Sequence, residues 1–407
     1  MFSTLMPLFD EKMAVKAFSL FAQKENFLLN PSLLGTGANS GIGQINGLDV
    51  IESTGITTLS EDADIFVSVS DISLFADIEA QCKAPSSRIV ILIDNCVKPE
   101  QIFIDRINKL KSRGYRFAIR KLFVADFENY REILKLMDFI MLDYKRIDIS
   151  KAHIYFSKLF PNIKLVAINV DSQEVFDKLT EEGGYSLYEG DFYRLPITKG
   201  ETEVAPVKAN YIELLNIVND ADFDLTKAAD VIGRDTALVV SLLKMVNRMS
   251  VNGGITTIRH AAAMLGQKEL KKWINTAVAG KLCEDKPSEI TRISLIRAKF
   301  AENLAPIFSM AGQSQELFLM GLFSVLDIIL NKPMDEALIM VRVSKQIESA
   351  LLRGKGDFAE ILHFIKAYEV ADWTEVSRLM LLENIDMNVV YEAYLNSLVW
   401  YRDLFKA

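Results

Sequence analysis

The chain is poor in the residues that build disulfide frameworks and zinc sites. It has only 3 cysteines and 3 histidines among 407 residues. The cysteines, Cys82, Cys96 and Cys283, are too few and too scattered along the chain for either kind of site. We therefore expect the fold to depend on a hydrophobic core, which the 50% hydrophobic and 25% charged composition can supply.

The sequence also lacks a long apolar run and an excess of positive charge. Its longest apolar stretch, Leu317 to Leu330, is interrupted by Gly321, Ser324 and Asp327 and is shorter than the ~20 residues of a membrane-spanning helix. The first residues, MFSTLMPLFDEK, have no basic leader. The net charge of −8 disfavours nucleic acid and anionic membranes as partners. We expect a cytoplasmic protein without membrane insertion.

Two halves of the chain follow different patterns. The length of 407 residues predicts at least two domains, since single cores stop growing near ~250–300 residues. In the first half, β-rich apolar runs alternate with amphipathic helical segments, which predicts parallel strands in an α/β sheet or barrel. The predicted strands are Ala14–Phe21, Asp64–Ser70, Ile89–Ile93, Tyr115–Ile119, Phe139–Leu142, Leu165–Val170 and Tyr185–Tyr188.

After the linker TKGETEVAPVK, strand patterns give way to helical periodicity that continues to Ala407. Apolar stripes such as Leu238, Leu242, Met245 and Val246 recur at helical spacing. We expect an α/β domain at 1–200 and an all-α domain at 201–407, with the boundary between Pro196 and Lys208.

The segment TGANSGIG, from Thr36 to Gly43, spells the nucleotide-binding fingerprint of short-chain dehydrogenases. That fingerprint needs a strand before it and a helix after it. Pro31 interrupts the preceding run, and the following QINGLDVIESTG carries two glycines and no clear helical stripe. None of the 12 tyrosines has a lysine four residues later, as that family requires. We interpret the segment as a glycine-rich loop.

Three stretches of the first half resemble the EAL domain, a TIM-like barrel that hydrolyses cyclic di-GMP with two divalent metals. They are RIVILIDNCVKPEQIFIDRINKLKSRGYRFAIRKLF, MDFIMLDY and KLVAINVDSQEVFDKL with the later GYSLYEGDFYRLP. The opening MPLFDEKMAVKAFSLF resembles the first strand of the EAL–HDOD subfamily. Residues 24–62 depart from the likeness, and we expect a barrel helix to be lost there.

The resemblance implies that the metal-binding residues of the family have been replaced. Positions that hold family carboxylates, an asparagine or a lysine correspond here to Ser19, Ser68, Leu92, Met141 and Ile168, and the paired aspartates of D-D-F to Arg120 and Lys121. Asp143 remains, and Asp171 is a conservative match. Two-metal hydrolysis needs several converging carboxylates, so the resemblance implies a degenerate, inactive barrel.

The cations also suggest the opposite idea, that Arg113, Arg116, Arg120 and Lys121 bind an anionic nucleotide. The alternative is a basic helix end followed by exposed strand-end residues. We prefer the second interpretation and expect no binding of cyclic di-GMP.

The second half is similar to the HDOD domain, a helical relative of HD phosphohydrolases. The resemblance rests on FDLTKAADVIGRDTALVVSLLKMVNRMSVNGGITTIRHAAAMLGQKELKKW and on the downstream ELFLMGLFSVLDIILNKPMDEAL. HD enzymes need a His-Asp pair, but none of the histidines, His153, His260 and His363, is followed by Asp. The resemblance implies a module without a metal site.

Together the two resemblances imply a bacterial signalling adaptor that acts through protein–protein interaction and is not an enzyme. We expect no catalytic, cofactor-binding or metal-binding residues, no cofactor, and a protein partner that binds the HDOD domain. The sequence does not decide whether the protein also forms a homo-oligomer. The alternative is a degenerate EAL domain that still senses cyclic di-GMP or another nucleotide without hydrolysing it.

Overall fold

The computed structural model describes residues 1–24, 43–197, 206–220, 222–249 and 255–405. Packing divides the chain into two compact units. One unit joins Met1–Leu195 to Phe364–Ala407, and the other comprises Pro196–His363. We call them the barrel unit and the helical unit.

The barrel unit is built on a closed barrel of eight strands in sequential order. The first strand runs antiparallel to both of its neighbours, and the other neighbouring strands pair in parallel. The strands are β1 Phe2–Phe9, β2 Val15–Gln23, β3 Asp64–Ser68, β4 Ile89–Ile93, β5 Arg116–Ile119, β6 Phe139–Asp143, β7 Lys164–Val170 and β8 Tyr185–Gly190. The predicted TIM-like α/β architecture of the first half is confirmed.

Alternate side chains of the strands fill the barrel interior, because successive residues of a strand point to opposite faces. The rings of Phe66 and Phe139 meet there at 5.2 Å between centroids. The interior core consists of Leu8, Ala17, Phe66, Val90, Leu92, Ala118, Phe139, Met141, Val166 and Leu187, with Ile168 packed against it. The barrel is therefore a solid core rather than a pore.

Helices connect the parallel strands on the outside of the barrel. Side-chain caps start three of them: the carboxylates of Asp77 and Asp148 and the hydroxyl of Ser172 accept backbone N–H groups of the first turn. The helices are α1 Asn46–Thr54, α2 Ile56–Ser60, α3 Ile78–Gln81, α4 Gln101–Lys111, α5 Arg131–Leu134, α6 Ile149–Leu159 and α7 Gln173–Glu182.

The expected loss of a helix between residues 24 and 62 is wrong, since α1 and α2 occupy residues 46–60. Gly47, one of the two glycines that suggested a loop, instead allows close packing between a helix and a strand. A Cβ atom on Gly47 would lie 2.8 Å from Cγ1 of Val67, so only glycine lets α1 approach β3 this closely. Leu48, Val50 and Ile51 are buried along the same helix.

The helical unit confirms the predicted all-α region. Its helices are α8 Pro206–Asn219, α9 Leu225–Ile232, α10 Thr236–Met249, α11 Ile258–Leu282, α12 Ser288–Leu304, α13 Ser314–Phe323, α14 Leu326–Leu330, α15 Met334–Met340 and α16 Lys345–Arg353. Three helices follow: α17 Asp357–Glu369, α18 Trp373–Leu382 and α19 Met387–Phe405. Gly266 breaks α11 with φ 73° and ψ 166°. No helix of the described ranges is both long and apolar enough to cross a lipid bilayer.

The last part of the chain packs within the barrel unit. The ring of Trp373 stacks on Phe2 at 5.1 Å, and the backbone N–H of Ser3 donates to the buried Tyr368 hydroxyl at 3.3 Å. Arg402 donates to the Thr58 hydroxyl at 2.8 Å. Residues 364–407, which the sequence assigned to the helical domain, therefore complete the barrel's packing.

The predicted boundary between domains at 1–200 and 201–407 stays a prediction. Residues 198–205 of the linker lie outside the described residues. By packing, the helical unit ends at His363 rather than at Ala407.

We predict that Tyr368→Phe destabilises the fold by about 1–3 kcal/mol. The substitution keeps the buried ring but leaves the Ser3 N–H without its hydroxyl acceptor, and an unsatisfied buried donor costs about that much. Chemical denaturation of the full chain measures the change. Tyr155→Phe is the matched control, because that partly exposed hydroxyl donates to the exposed Glu128 carboxylate. Equal stability of Tyr368→Phe and the parent protein would contradict the role of this contact.

Candidate functional site at the barrel mouth

The carboxyl ends of the barrel strands open onto a mouth, where barrel enzymes place their active sites. Strands β2 to β8 carry, toward or just after their carboxyl ends, residues two positions beyond an interior core residue, so these side chains face the same way; β6 carries two of them. We define the barrel mouth by these side chains: Ser19, Ser68, Leu92, Arg120, Met141, Asp143, Ile168 and Glu189. The positions that the sequence singled out on the strands thus lie around one opening.

Two polar pairs span the mouth. The Ser19 hydroxyl donates to Oε2 of Glu189 at 2.8 Å, and Nη2 of Arg120 donates to the Ser68 hydroxyl at 3.1 Å. The Arg120 guanidinium also lies 5.9 Å from the centroid of the Phe21 ring. Serines therefore bind a carboxylate and a guanidinium at positions where the family resemblance implies metal ligands.

Burial raises the pKa of the Glu189 carboxyl, although the Ser19 hydroxyl and the positive charge of Arg120 both favour its ionised form. Sequence reasoning missed this residue. The signal was present, because Glu189 follows the interior Leu187 by two positions on β8. Strand alternation alone could have placed it in the mouth.

Lys121 lies at the rim of the mouth and binds Asp94, with Nζ 3.1 Å from Oδ2. The pKa of Asp94 is lowered: burial would raise it, but the backbone N–H of Cys96 and the Lys121 ammonium outweigh that effect. The ion pair therefore holds the Lys121 ammonium beside the Asp94 carboxylate.

The four basic residues considered for nucleotide binding do not converge. Arg113 pairs with Glu79 at 2.7 Å, and Arg116 pairs with Asp64 at 2.7 Å. Arg116 begins β5, whereas Arg120 follows its last residue at the other end of the strand. The four residues therefore form two pairs at opposite ends of β5, as expected if they are a basic helix end and strand-end residues rather than one nucleotide site.

The two remaining acidic residues are held by neighbouring basic or phenolic groups. Oδ2 of Asp143 lies 3.4 Å from Nε of Arg146, and its Oδ1 accepts the backbone N–H of Lys145 at 3.0 Å. The carboxylate of Asp171 accepts from the Tyr144 hydroxyl and pairs with Nζ of Lys145 at 2.9 Å. These contacts lower the pKa of Asp171, with the Tyr144 hydrogen bond as the largest cause.

Divalent metals require clustered oxygen, nitrogen or sulfur ligands. Within the described ranges, no three His, Cys, Asp or Glu side chains come together as a group that could hold a metal ion. Asp143 and Glu189 are the acidic side chains among the eight that define the mouth, and the rest of the set is hydroxyl, apolar or cationic. The mouth contains too few carboxylates for a two-metal centre.

The dehydrogenase-like segment falls almost entirely outside the described ranges. Residues 36–42 of TGANSGIG lie outside the described residues. Gly43 is described, with φ 100°, and the following helix α1 begins at Asn46 without a side-chain cap.

Comparison with known families identifies the helical unit. Residues 204–352 match the model of the HDOD domain. The chain contains an HDOD domain. This confirms the predicted order of a barrel followed by an HDOD-containing helical region, and α8 to α16 span the HDOD domain.

Two curated relatives align with both parts of the chain. The uncharacterized protein YuxH of Bacillus subtilis is 26% identical over 100% of this chain and 99% of its own length. The cyclic di-GMP phosphodiesterase CdgJ of Vibrio cholerae is 24% identical over 79% of this chain and 74% of its own length. Among solved structures, the EAL domain of Mycobacterium smegmatis DcpA covers 46% of this chain and 89% of that chain, at 16% identity and a TM-score of 0.36.

We predict that Glu189→Gln stabilises the protein at neutral pH and that the gain shrinks on acidification. A raised pKa means that the folded state penalises the ionised carboxylate, so stability falls as pH rises from the unfolded pKa through the folded pKa. Glutamine removes the charge and can still accept from Ser19. Melting temperatures between pH 4 and 8 measure the effect. A variant that is less stable than the parent at neutral pH would contradict this account of the site.

Proposed function

We propose that the protein is a catalytically inactive signalling adaptor, in which a degenerate EAL-like barrel is joined to an HDOD domain that binds a protein partner. The observation that supports the inactive barrel is the content of its mouth. Arg120 donates to Ser68, Glu189 accepts from Ser19, and Leu92, Met141 and Ile168 fill positions where the resemblance implies ligands.

Electrostatics supports the same proposal. Two unit charges 4 Å apart interact by roughly 4 kcal/mol at an effective dielectric constant of 20. Arg120 at the mouth repels a divalent cation by an interaction of this order, and each charge of the ion adds to it. Asp143 would also have to leave Arg146 before it could bind a metal. The mouth thus opposes the ions on which the hydrolytic chemistry depends.

The proposed binding role rests on the HDOD domain and its surface. This domain exposes apolar side chains, among them Val240, Met264 and Ile339, which is 85% exposed. Exposed apolar residues at a protein surface are potential contacts for a partner. The barrel unit also exposes apolar side chains, such as Ile72, so exposure alone does not select the HDOD domain. We propose this domain for recognition because its described residues hold no group of metal ligands, which leaves surface binding as its output.

A second function is a nucleotide sensor that binds without hydrolysis. The guanidinium Nε of Arg120 is buried without a hydrogen-bond partner in the part of the chain that the structure describes, and a ligand oxygen could accept from it. A ligand at 100 times its Kd stabilises the folded state by about 2.7 kcal/mol. A rise in melting temperature with cyclic di-GMP that Arg120→Ala abolishes would favour the sensor.

We predict that the full chain does not hydrolyse cyclic di-GMP with Mg²⁺ or Mn²⁺. Product formation is followed by chromatography, with the parent protein and Asp143→Ala compared at equal concentration. We expect both proteins to match the buffer control, since the described residues bring no three potential metal ligands together. Linear product formation by the parent that disappears in Asp143→Ala would overturn the proposal. Activity that persists unchanged in the variant would indicate a contaminating enzyme.

A further inference from the structure

The helical unit contains a half-open cavity of about 730 Å³ that lies within the HDOD domain. Helices α11, α13 and α16 contribute to its wall, and the side chains of Phe223, Leu319 and Ile347 provide an apolar surface. Pockets for small molecules occupy about 300–1,000 Å³ and combine apolar walls with a few polar groups. In size and lining, this cavity is suited to a small ligand.

Two cations of the cavity wall have no close counter-ion among the residues that the structure describes. Lys268 and Lys271 lie one turn apart on α11, so their side chains share a face of the helix. Within the described ranges neither ammonium takes part in a hydrogen bond or a close ion pair. Lys271 is half-buried, and burial lowers its pKa although Glu316 opposes that shift. Burying a charge without a partner is costly, and an anion in the cavity would offset the cost.

The other charged residues that face the cavity are already engaged. Arg342 donates to the Asp220 carboxylate, and its backbone N–H donates to Oδ1 of Asn216 at 2.8 Å. Glu316 accepts from the Ser344 hydroxyl at 3.0 Å. Arg342 neutralises Asp220, whereas the Ser344 hydroxyl leaves the charge of Glu316 in place, and that charge favours the ammonium form of Lys271. Lys268, Lys271 and Arg342 against Asp220 and Glu316 still give the cavity wall an excess of positive charge.

Backbone geometry adds to the positive character of the cavity. The second part of α11 begins at the wall after the break at Gly266, and α13 begins there at Ser314 without a side-chain cap. Helix α16 begins beside Ser344 on the same wall. A helix start carries a partial positive charge, and residues at all three starts line the cavity, although the Ser344 hydroxyl already accepts the Ile347 N–H at the start of α16.

We propose that this cavity is a regulatory site for a small polyanion that carries phosphate or carboxylate groups. Lys268 and Lys271 pair with the anionic groups, and the apolar surface of Phe223, Leu319 and Ile347 contacts the rest of the ligand. The site is separate from the barrel mouth and does not depend on whether the barrel is active.

The test is thermal melting of the full chain at constant ionic strength with two probes, inorganic pyrophosphate and tricarballylate. Saturable binding at 100 times the Kd should raise the melting temperature by roughly 5–10 °C. Lys268→Gln/Lys271→Gln should abolish the rise. The probe that saturates at the lower concentration identifies phosphate or carboxylate as the preferred group.

Two control variants check that the response comes from the cavity. Lys244→Gln/Lys355→Gln removes the same charge from exposed positions outside the cavity wall and should retain the response. Arg120→Ala/Lys121→Ala should retain it as well. The proposal is overturned if neither probe stabilises the parent at millimolar concentration, if the exposed-lysine control loses the response equally, or if only the barrel variant loses it.

Discussion

The guanidinium of Arg120 lies where the eight-stranded barrel opens, and its positive charge constrains what else the mouth can hold. Arg120 is partly buried, and a charge that loses part of its water is stabilised by partners inside the protein. Ser68 accepts from Arg120, and the positive charge favours the ionised form of Glu189, which Ser19 also binds. The Arg120–Ser68 and Ser19–Glu189 pairs thus form a polar layer at the mouth, above the apolar interior of the barrel. A divalent ion would have to break this layer against the repulsion of Arg120, which connects the chemistry of the mouth to the proposed loss of catalysis.

Much of the fold follows from sequence pattern, because strand alternation and helical periodicity report which side chains are buried. The runs from Ile89–Ile93 to Tyr185–Tyr188 predicted consecutive barrel strands. The expectation that no helix occupies residues 46–60 was wrong for a physical reason. Glycine disfavours helices, but Gly47 lies in α1 because the absence of a side chain permits close contact with Val67. The packing of residues 364–407 with the barrel could not be read from periodicity either. It depends on the distant contacts of Phe2 with Trp373 and of Ser3 with Tyr368.

The candidate site was predictable in part. The family resemblance identified Ser19, Ser68, Leu92, Arg120, Met141 and Ile168, which the fold gathers at one opening. The pairing of Ser19 with Glu189 joins β2 to β8 and required the closed barrel. The cavity of the HDOD domain could not be predicted from the sequence, because its wall is built from residues that lie far apart along the chain, at the starts of different helices.

The most direct test of the adaptor role is partner capture by the tagged full chain in the organism that encodes it, with two matched substitutions. Ile339→Glu alters an exposed apolar residue of the HDOD domain, and Ile102→Glu alters one of the barrel unit, 59% exposed. Circular dichroism checks that both variants fold. The account predicts that Ile339→Glu loses a specific partner that the parent and Ile102→Glu retain. Loss with Ile102→Glu alone, or no specific partner for the parent, would contradict it.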